Sequence, residues 1–170
     1  QAEPHARAAL AEAERSQPAQ VDAARRQLAV VLAALDQLDA ASSLIEAMPP
    51  SRERDVLRSR IAYQRGDYAT AAEAVRAHVA AGVEPAQQHL GAVQAMSQAL
   101  RMLGEHEASL RLVDAMLPRL DRELGEDHPD RLGLAIDRAI VLRHLGRFDE
   151  AAQALEGVLA ARRRVLGDIH

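Results

Sequence analysis

The sequence predicts an all-α chain, an α-solenoid of antiparallel helix pairs stacked in tandem. Three observations predict it. Leu124-Gly125-Glu126-Asp127-His128 returns 42 residues later as Leu166-Gly167-Asp168-Ile169-His170, and the same offset carries Arg101-Met102-Leu103-Gly104 onto Arg143-His144-Leu145-Gly146. Self-similarity at a fixed period of this size marks a repeat array. Apolar residues recur at three- and four-residue spacing, and no stretch alternates as a strand would. The 170 residues are 48% hydrophobic yet include only two Tyr, one Phe and no Trp. Ala and Leu without aromatic bulk suit thin layers in which helices approach closely.

The elements follow in order. Residues 1–14 form an Ala-rich helix that stops before Ser16-Gln17-Pro18. Pro18 fits the first turn of the next helix, which runs to Leu35 with Val21, Leu28, Val31, Leu32 and Leu35 on one face. Leu38 to Met48 is its short partner, halted by Pro49-Pro50, and Ser51 is the N-cap of a helix reaching Gln64. Val56, Leu57, Ile61 and Ala62 are its buried side, and Gly66 ends it. Tyr68 to Ala81 returns, and Gly82-Val83-Glu84-Pro85 breaks the chain. Two longer pairs follow: Pro85 to Leu103 with His106 to Leu124, then Pro129 to Leu145 with Phe148 to Leu166. Pro118, inside the second of these four helices, is expected to kink or split it. His128, before Pro129, helps end one helix and start the next.

Composition narrows the function. The net charge is −4 and every basic residue is Arg. An acidic total argues against a dedicated nucleic-acid binder. With no Cys there are no disulfides or thiolate chemistry, and the compartment stays open. No stretch approaches a membrane span, and nothing at the start resembles a signal peptide. A chain opening on Gln1 and stopping within a linker motif reads as a segment of a longer protein. The seven His form no His-x-x-x-His or His-Glu-x-x-His pair, so neither metal nor cofactor is expected. No phosphate-cradling Gly-rich loop and no Gly-x-Ser-x-Gly elbow occurs, so no enzyme is expected.

Gly66-Asp67-Tyr68-Ala69-Thr70-Ala71-Ala72 and Gly146-Arg147-Phe148-Asp149-Glu150-Ala151 resemble the middle of tetratricopeptide repeats. In that family a Gly ends helix A, an aromatic opens helix B, and an Ala three residues later packs on helix A. The 42-residue period and the Leu-Gly-x-x-His linker resemble the longer, kinesin-light-chain type, which is common in bacterial signalling proteins. Anchoring on the turn aligns Asp36, Gly66, Gly104 and Gly146, with Asp36 in the place of glycine, so the first turn stands to differ. The small residues of helix A are then Ala29, Ser59, Ser97 and Ala139, and those of helix B are Ala41, Ala71, Ser109 and Ala151. The aromatic position holds Leu38, Tyr68, His106 and Phe148. The expected division is 1–17 as the second helix of a truncated repeat, then repeats at 18–50, 51–84, 85–127 and 128–170.

The resemblance implies a right-handed superhelix whose concave wall is lined by A helices and binds a protein or peptide. The groove positions it implies are Arg26, Val30, Ala33 and Ala34; Val56, Arg60, Tyr63 and Gln64; Gln94, Gln98, Arg101 and Met102; and Ile136, Ile140, Arg143 and His144. One Arg per repeat faces the groove, an arrangement suited to an acidic or carboxylate-bearing partner. The paired Asn that hold a peptide backbone in many such repeats are absent; Arg26-Gln27, Val56-Leu57, Gln94-Ala95 and Ile136-Asp137 stand there instead. A side-chain or helix-face contact fits these residues better. The alternative is self-association through apolar faces left open at the end repeats.

Overall fold

Eight small residues set the spacing of the helices. Ala29, Ser59, Ser97 and Ala139 are buried on one set of helices, and Ala41, Ala71, Ser109 and Ala151 on their partners. Each pair lies twelve residues apart across a tight turn. A methyl or hydroxymethyl group at these points lets two backbones approach, which a longer side chain would prevent. Where serine replaces alanine, its hydroxyl is satisfied internally: Ser59 Oγ donates to the Ala71 carbonyl at 2.6 Å. Ser97 and Ser109 share a hydroxyl contact at 2.8 Å, and Ser109 Oγ donates to the Ser97 carbonyl at 3.1 Å. A buried hydroxyl without such a bond would be costly.

The structure, a computed structural model, describes residues 2–82 and 85–166. The Val83-Glu84 break and the second linker copy beyond Leu166 lie outside the described residues. Among the described residues the helices are α1 (Ala2–Ser16), α2 (Val21–Ala34), α3 (Leu38–Glu46), α4 (Arg52–Gln64), α5 (Tyr68–Ala81), α6 (Ala86–Met102), α7 (His106–Leu124), α8 (Pro129–His144) and α9 (Phe148–Leu166). The chain divides into an N-terminal body, 1–74, and a C-terminal body, 75–170.

In the N-terminal body α2 packs against α1 and α3, and α4 against α3 and α2. Leu28, Ala29, Leu32, Ala41, Ile45 and Ile61 form its core, with Ala6 from α1. The expected helix from Pro18 divides instead: Pro18–Gln20 is a separate 3₁₀ turn before α2. Ser51 caps α4 as expected, its hydroxyl accepting from the Arg54 N–H at 3.1 Å. Ile61 and Ala62 are buried, whereas Val56 and Leu57 are half-buried.

In the C-terminal body α6 packs with α7, α7 with α8, α8 with α9, and α6 with α8. Leu90, Val93, Val113, Met116, Leu120 and Leu134 join three of these helices, and Leu110, Val141 and Leu142 continue toward α9. Pro118 does not split its helix, since α7 runs unbroken from His106 to Leu124. Met116 and Leu120 are buried on either side of it, Pro118 itself is exposed, and packing holds the turn that lost its backbone bond. His128 starts α8, its Nδ1 accepting from the Asp130 N–H at 3.2 Å. Glu123 of α7 caps α6, accepting from the N–H groups of Ala86 at 2.8 Å and Gln87 at 3.4 Å. A carboxylate there satisfies orphan donors and the positive end of the helix dipole.

The four inter-helix turns share one bonding pattern. Gly66, Gly104 and Gly146 have φ of 79°, 80° and 73°, and Asp36 joins them at φ 60°. In each turn the next residue's N–H returns to a carbonyl five residues back: Gln37 to Leu32, Asp67 to Ala62, Glu105 to Leu100 and Arg147 to Leu142. The first turn therefore does not differ, because tertiary packing holds Asp36 in the left-handed region that L residues resist. Asp36→Gly is expected to raise the stability of the N-terminal body by about 0.5–1 kcal/mol, relief of strain exceeding the entropy glycine adds to the unfolded chain. A urea midpoint equal to or below that of the parent would show the turn to be unstrained.

Candidate partner-binding site

In the N-terminal body, the implied groove residues come from α2 and α4. Val30, Ala33 and Ala34 meet Arg60 and Gln64 around a shallow pocket of about 140 Å³ with Leu57 and Ile61 in its floor. Its wall is apolar with one guanidinium and one amide, a surface that takes an aliphatic or aromatic side chain beside an acidic one. Arg26 is exposed and stands outside this pocket. So does half-buried Val56, and half-buried Tyr63 packs edge-on against Tyr68, ring centroids 5.3 Å apart at 60°. That contact fixes the start of α5 against α4 and takes one face of the Tyr63 ring out of reach.

In the C-terminal body, the corresponding residues lie on α6 and α8. Gln94 and Gln98 are half-buried, and Gln94 Nε2 donates to Asp137 Oδ2 of α8 at 3.2 Å. Two helical turns earlier, Gln87 Nε2 donates to Asp130 Oδ2 at 2.9 Å. These bonds tie α6 to α8. Burial raises the Asp137 carboxyl above the usual aspartate value, opposed by the Gln94 bond and by the charge of Arg101. Ile136 turns partly into the core, packing against the cluster of Leu132, Ala135, Val158 and Ala161. Ile140 is half-buried, Met102 is 49% exposed, and Arg143 and His144 are exposed.

At the ends of α6 and α8 the structure brings together residues that the resemblance kept in separate repeats. The His144 ring stacks on His106, centroids 4.9 Å apart and planes 18° apart. Desolvation, then the charges of His106, Arg101 and Arg143, hold the His144 imidazole below the ordinary histidine value. His106 thus occupies the packing position expected of it, as do Leu38 and Tyr68, each half-buried. Phe148 differs: with no described helix after α9 to cover it, the ring is 65% exposed.

Some arginines are paired across helices of their own body, as Arg131 with Asp121 and Arg138 with Asp114, both at 2.6 Å, and Arg65 with Asp39 at 2.6 Å. Arg26, Arg60, Arg101 and Arg143 make no ion pair with any described carboxylate. Arg101 is half-buried, with its Nε lacking a hydrogen-bond partner. Asp137 was visible in the sequence only as a departure from the Asn pair. The Gln94–Asp137 tie becomes visible once a residue on α6 is compared with one 43 places later.

Among the described residues no helix is long and apolar enough to cross a membrane, and no cluster of His, Asp and Glu has the makings of a metal site.

Residues 89–164 match the family model of the tetratricopeptide repeat. No curated protein matches the chain. Among solved structures, the fold is similar to the TPR-like repeats of a Podosopora anserina protein described as a kinesin light chain. That crystal structure gives a TM-score of 0.71 at 19% identity, covering 95% of this chain and 85% of the other. A point-substituted form of the same repeats gives 0.72 at 20% identity, covering 94% and 84%. Such repeats are generally scaffolds for protein–protein interaction rather than catalysts. Residues 89–164 thus carry tetratricopeptide repeat sequence, and over nearly its whole length the chain has the helical-repeat fold of the TPR-like structures it is similar to.

Proposed function

We propose that this chain is a non-catalytic scaffold that binds a protein or peptide partner on the surfaces presented by its A helices, α2 and α4 in one body and α6 and α8 in the other. The observation that carries this reading is that Arg26, Arg60, Arg101 and Arg143 on the A helices make no ion pair with any described carboxylate, unlike Arg131 and Arg138, which are paired across helices. A guanidinium kept out of internal ion pairs retains its full capacity for a charge-assisted bond to a ligand. An acidic or carboxylate-bearing partner matches it, and the pocket at Val30, Ala33 and Arg60 takes a neighbouring apolar side chain. Neither nucleic acid nor membrane belongs to this reading. The four-repeat division given above, and a sensor or adaptor role within a larger bacterial signalling protein of kinase or transcription-regulator type, rest on the resemblance to the kinesin-light-chain type.

Arg60→Glu, Arg101→Glu and Arg143→Glu are each expected to weaken partner binding by about tenfold, with helicity unchanged, since each such bond contributes roughly 1.5–3 kcal/mol. Affinity capture followed by titration of the captured protein measures this. Binding that is indifferent to all three charge reversals would sink the proposal.

The second reading is self-association, favoured by one observation: α9 exposes Phe148, Leu155, Leu159 and Val165. Light scattering discriminates, since association through this face gives a dimer mass that reverts to monomer in Leu155→Glu, Leu159→Glu.

A further inference from the structure

We propose that Arg101, His106, Arg143 and His144 form a proton-linked oxyanion site at the end of the α6–α8 surface, binding a carboxylate or phosphoryl group of the partner and taking up a proton as it binds. This deepens the partner-binding reading and rests on it, naming the ligand chemistry at one end of that surface.

The grouping is the first argument. Arg101 comes from the last turn of α6, His106 from the first turn of α7, and Arg143 and His144 from the last turn of α8. Three helices converge to place two guanidinium groups and two imidazoles together. The groups acting on His144 are His106, Arg101 and Arg143, with no carboxylate among them. Of the acids in this body, Glu105 and Glu107 flank His106 in sequence, and Asp114 pairs with Arg138 at 2.6 Å. Glu150 accepts two bonds from Arg147 at 2.7 Å each, and Glu107 and Asp114 act on that same arginine. Asp137 is held by Gln94 and lies seven residues, roughly 10 Å, before His144 along α8, so it tempers Arg101 from a distance.

Packing alone does not call for histidine here. The equivalent positions hold Leu38, Tyr68 and Phe148, which offer apolar surface without a ring nitrogen to satisfy. In the stack, His106 Nδ1 and Arg101 Nε are buried without a hydrogen-bond partner. Unpartnered nitrogens beside unpaired arginines are costly for the chain alone, and an arriving oxyanion relieves that cost. Arg143 and His144 are exposed and reach such a ligand, while the half-buried His106 ring orients His144 by stacking.

The proton linkage follows from the field. Without ligand, a proton on His144 meets the charges of two arginines and is disfavoured. An oxyanion between Arg101 and Arg143 reverses that field and favours the imidazolium. By reciprocity, protonation favours the anion to the same degree. His144 starts below the ordinary histidine value and rises on binding, so affinity increases as pH falls through the interval between the free and bound midpoints.

The test is an imidazole NMR titration of the whole chain, alone and with saturating glutarate or inorganic phosphate. The His144 midpoint is expected to rise with at least one anion, whose affinity strengthens by about tenfold from roughly pH 8 to roughly pH 5.5. Movement with glutarate identifies a carboxylate ligand, and movement with phosphate alone a phosphoryl group. The double variant Arg101→Gln, Arg143→Gln abolishes the shift. His144→Gln, at an exposed side chain, keeps the fold and residual anion affinity but loses its pH dependence. An unmoved midpoint with both anions, or a shift that persists without the two arginines, overturns the site. If that happens while charge reversal at Arg60 and Arg143 still prevents partner capture, only this inference falls and the binding surface stands.

Discussion

Truncation of Leu142 to alanine lowers the stability of the C-terminal body by about 3 kcal/mol. Leu142 has no exposed surface and packs with Leu110, Ala139, Val141 and Ala151, so the change removes buried methyl groups and leaves a cavity. The neighbours that would have to collapse into it are mostly on helix backbones already in contact through Ala139 and Ala151, which limits relaxation. A loss of this size moves the melting midpoint of a body this small by on the order of 15 °C. Leu155, on the open face of α9 and 46% exposed, is the control, and Leu155→Ala costs at most about 0.5 kcal/mol. Because each repeat contacts only its neighbours, hydrogen exchange should accelerate in α7, α8 and α9 and least in α1 and α2. Equal midpoints for the two alanine variants would refute the assignment of Leu142 to the core.

Enlarging a small contact residue damages the molecule as much as hollowing its core. Ala71→Leu is expected to destabilise the N-terminal body by about 3 kcal/mol. Ala71 has no exposed surface, and its carbonyl accepts the buried Ser59 hydroxyl. Three added carbons force α5 away from α4, which costs about 1–3 kcal/mol, and lengthen or break the serine bond, adding about 1 kcal/mol or more. Ala71→Ser provides the contrast and stays within about 1 kcal/mol of the parent, because Ser97 and Ser109 accommodate that very pair in the C-terminal body. Chemical denaturation of the two variants side by side measures the difference. A leucine tolerated as well as the serine would mean that helix spacing at this turn is not set by residue size.

What could be read in advance was what depends on local sequence. Helix ends follow from Ser51, Pro85, Gly104 and Pro129, and α7 and α9 begin and end at the residues their periodicity indicates. The twelve-residue spacing of small residues was legible because each pair spans a single turn. The turn at Asp36 was not legible, because sequence preference weighs a residue's own backbone cost, whereas the folded turn holds φ 60° regardless. Pro118 does not split α7 for the same reason, its missing bond outweighed by the buried neighbours Met116 and Leu120.

The candidate site divides along the same line. The arginine positions follow from the repeat register, but which arginines are left without carboxylates depends on partners 10 to 37 residues away, as in Arg131 with Asp121 and Arg164 with Asp127. Glu123 capping α6, Gln94 holding Asp137 and His106 stacking on His144 join residues about 37 to 43 places apart. The amino-acid sequence by itself determined the all-α class, the helix limits and the repeat register, because periodicity, caps and turn glycines act over one or two helical turns. Only the tertiary structure decided which charges are quenched, which nitrogens are buried unpartnered and where two imidazoles meet, because those depend on distances between side chains that the chain brings together only after its helices have packed.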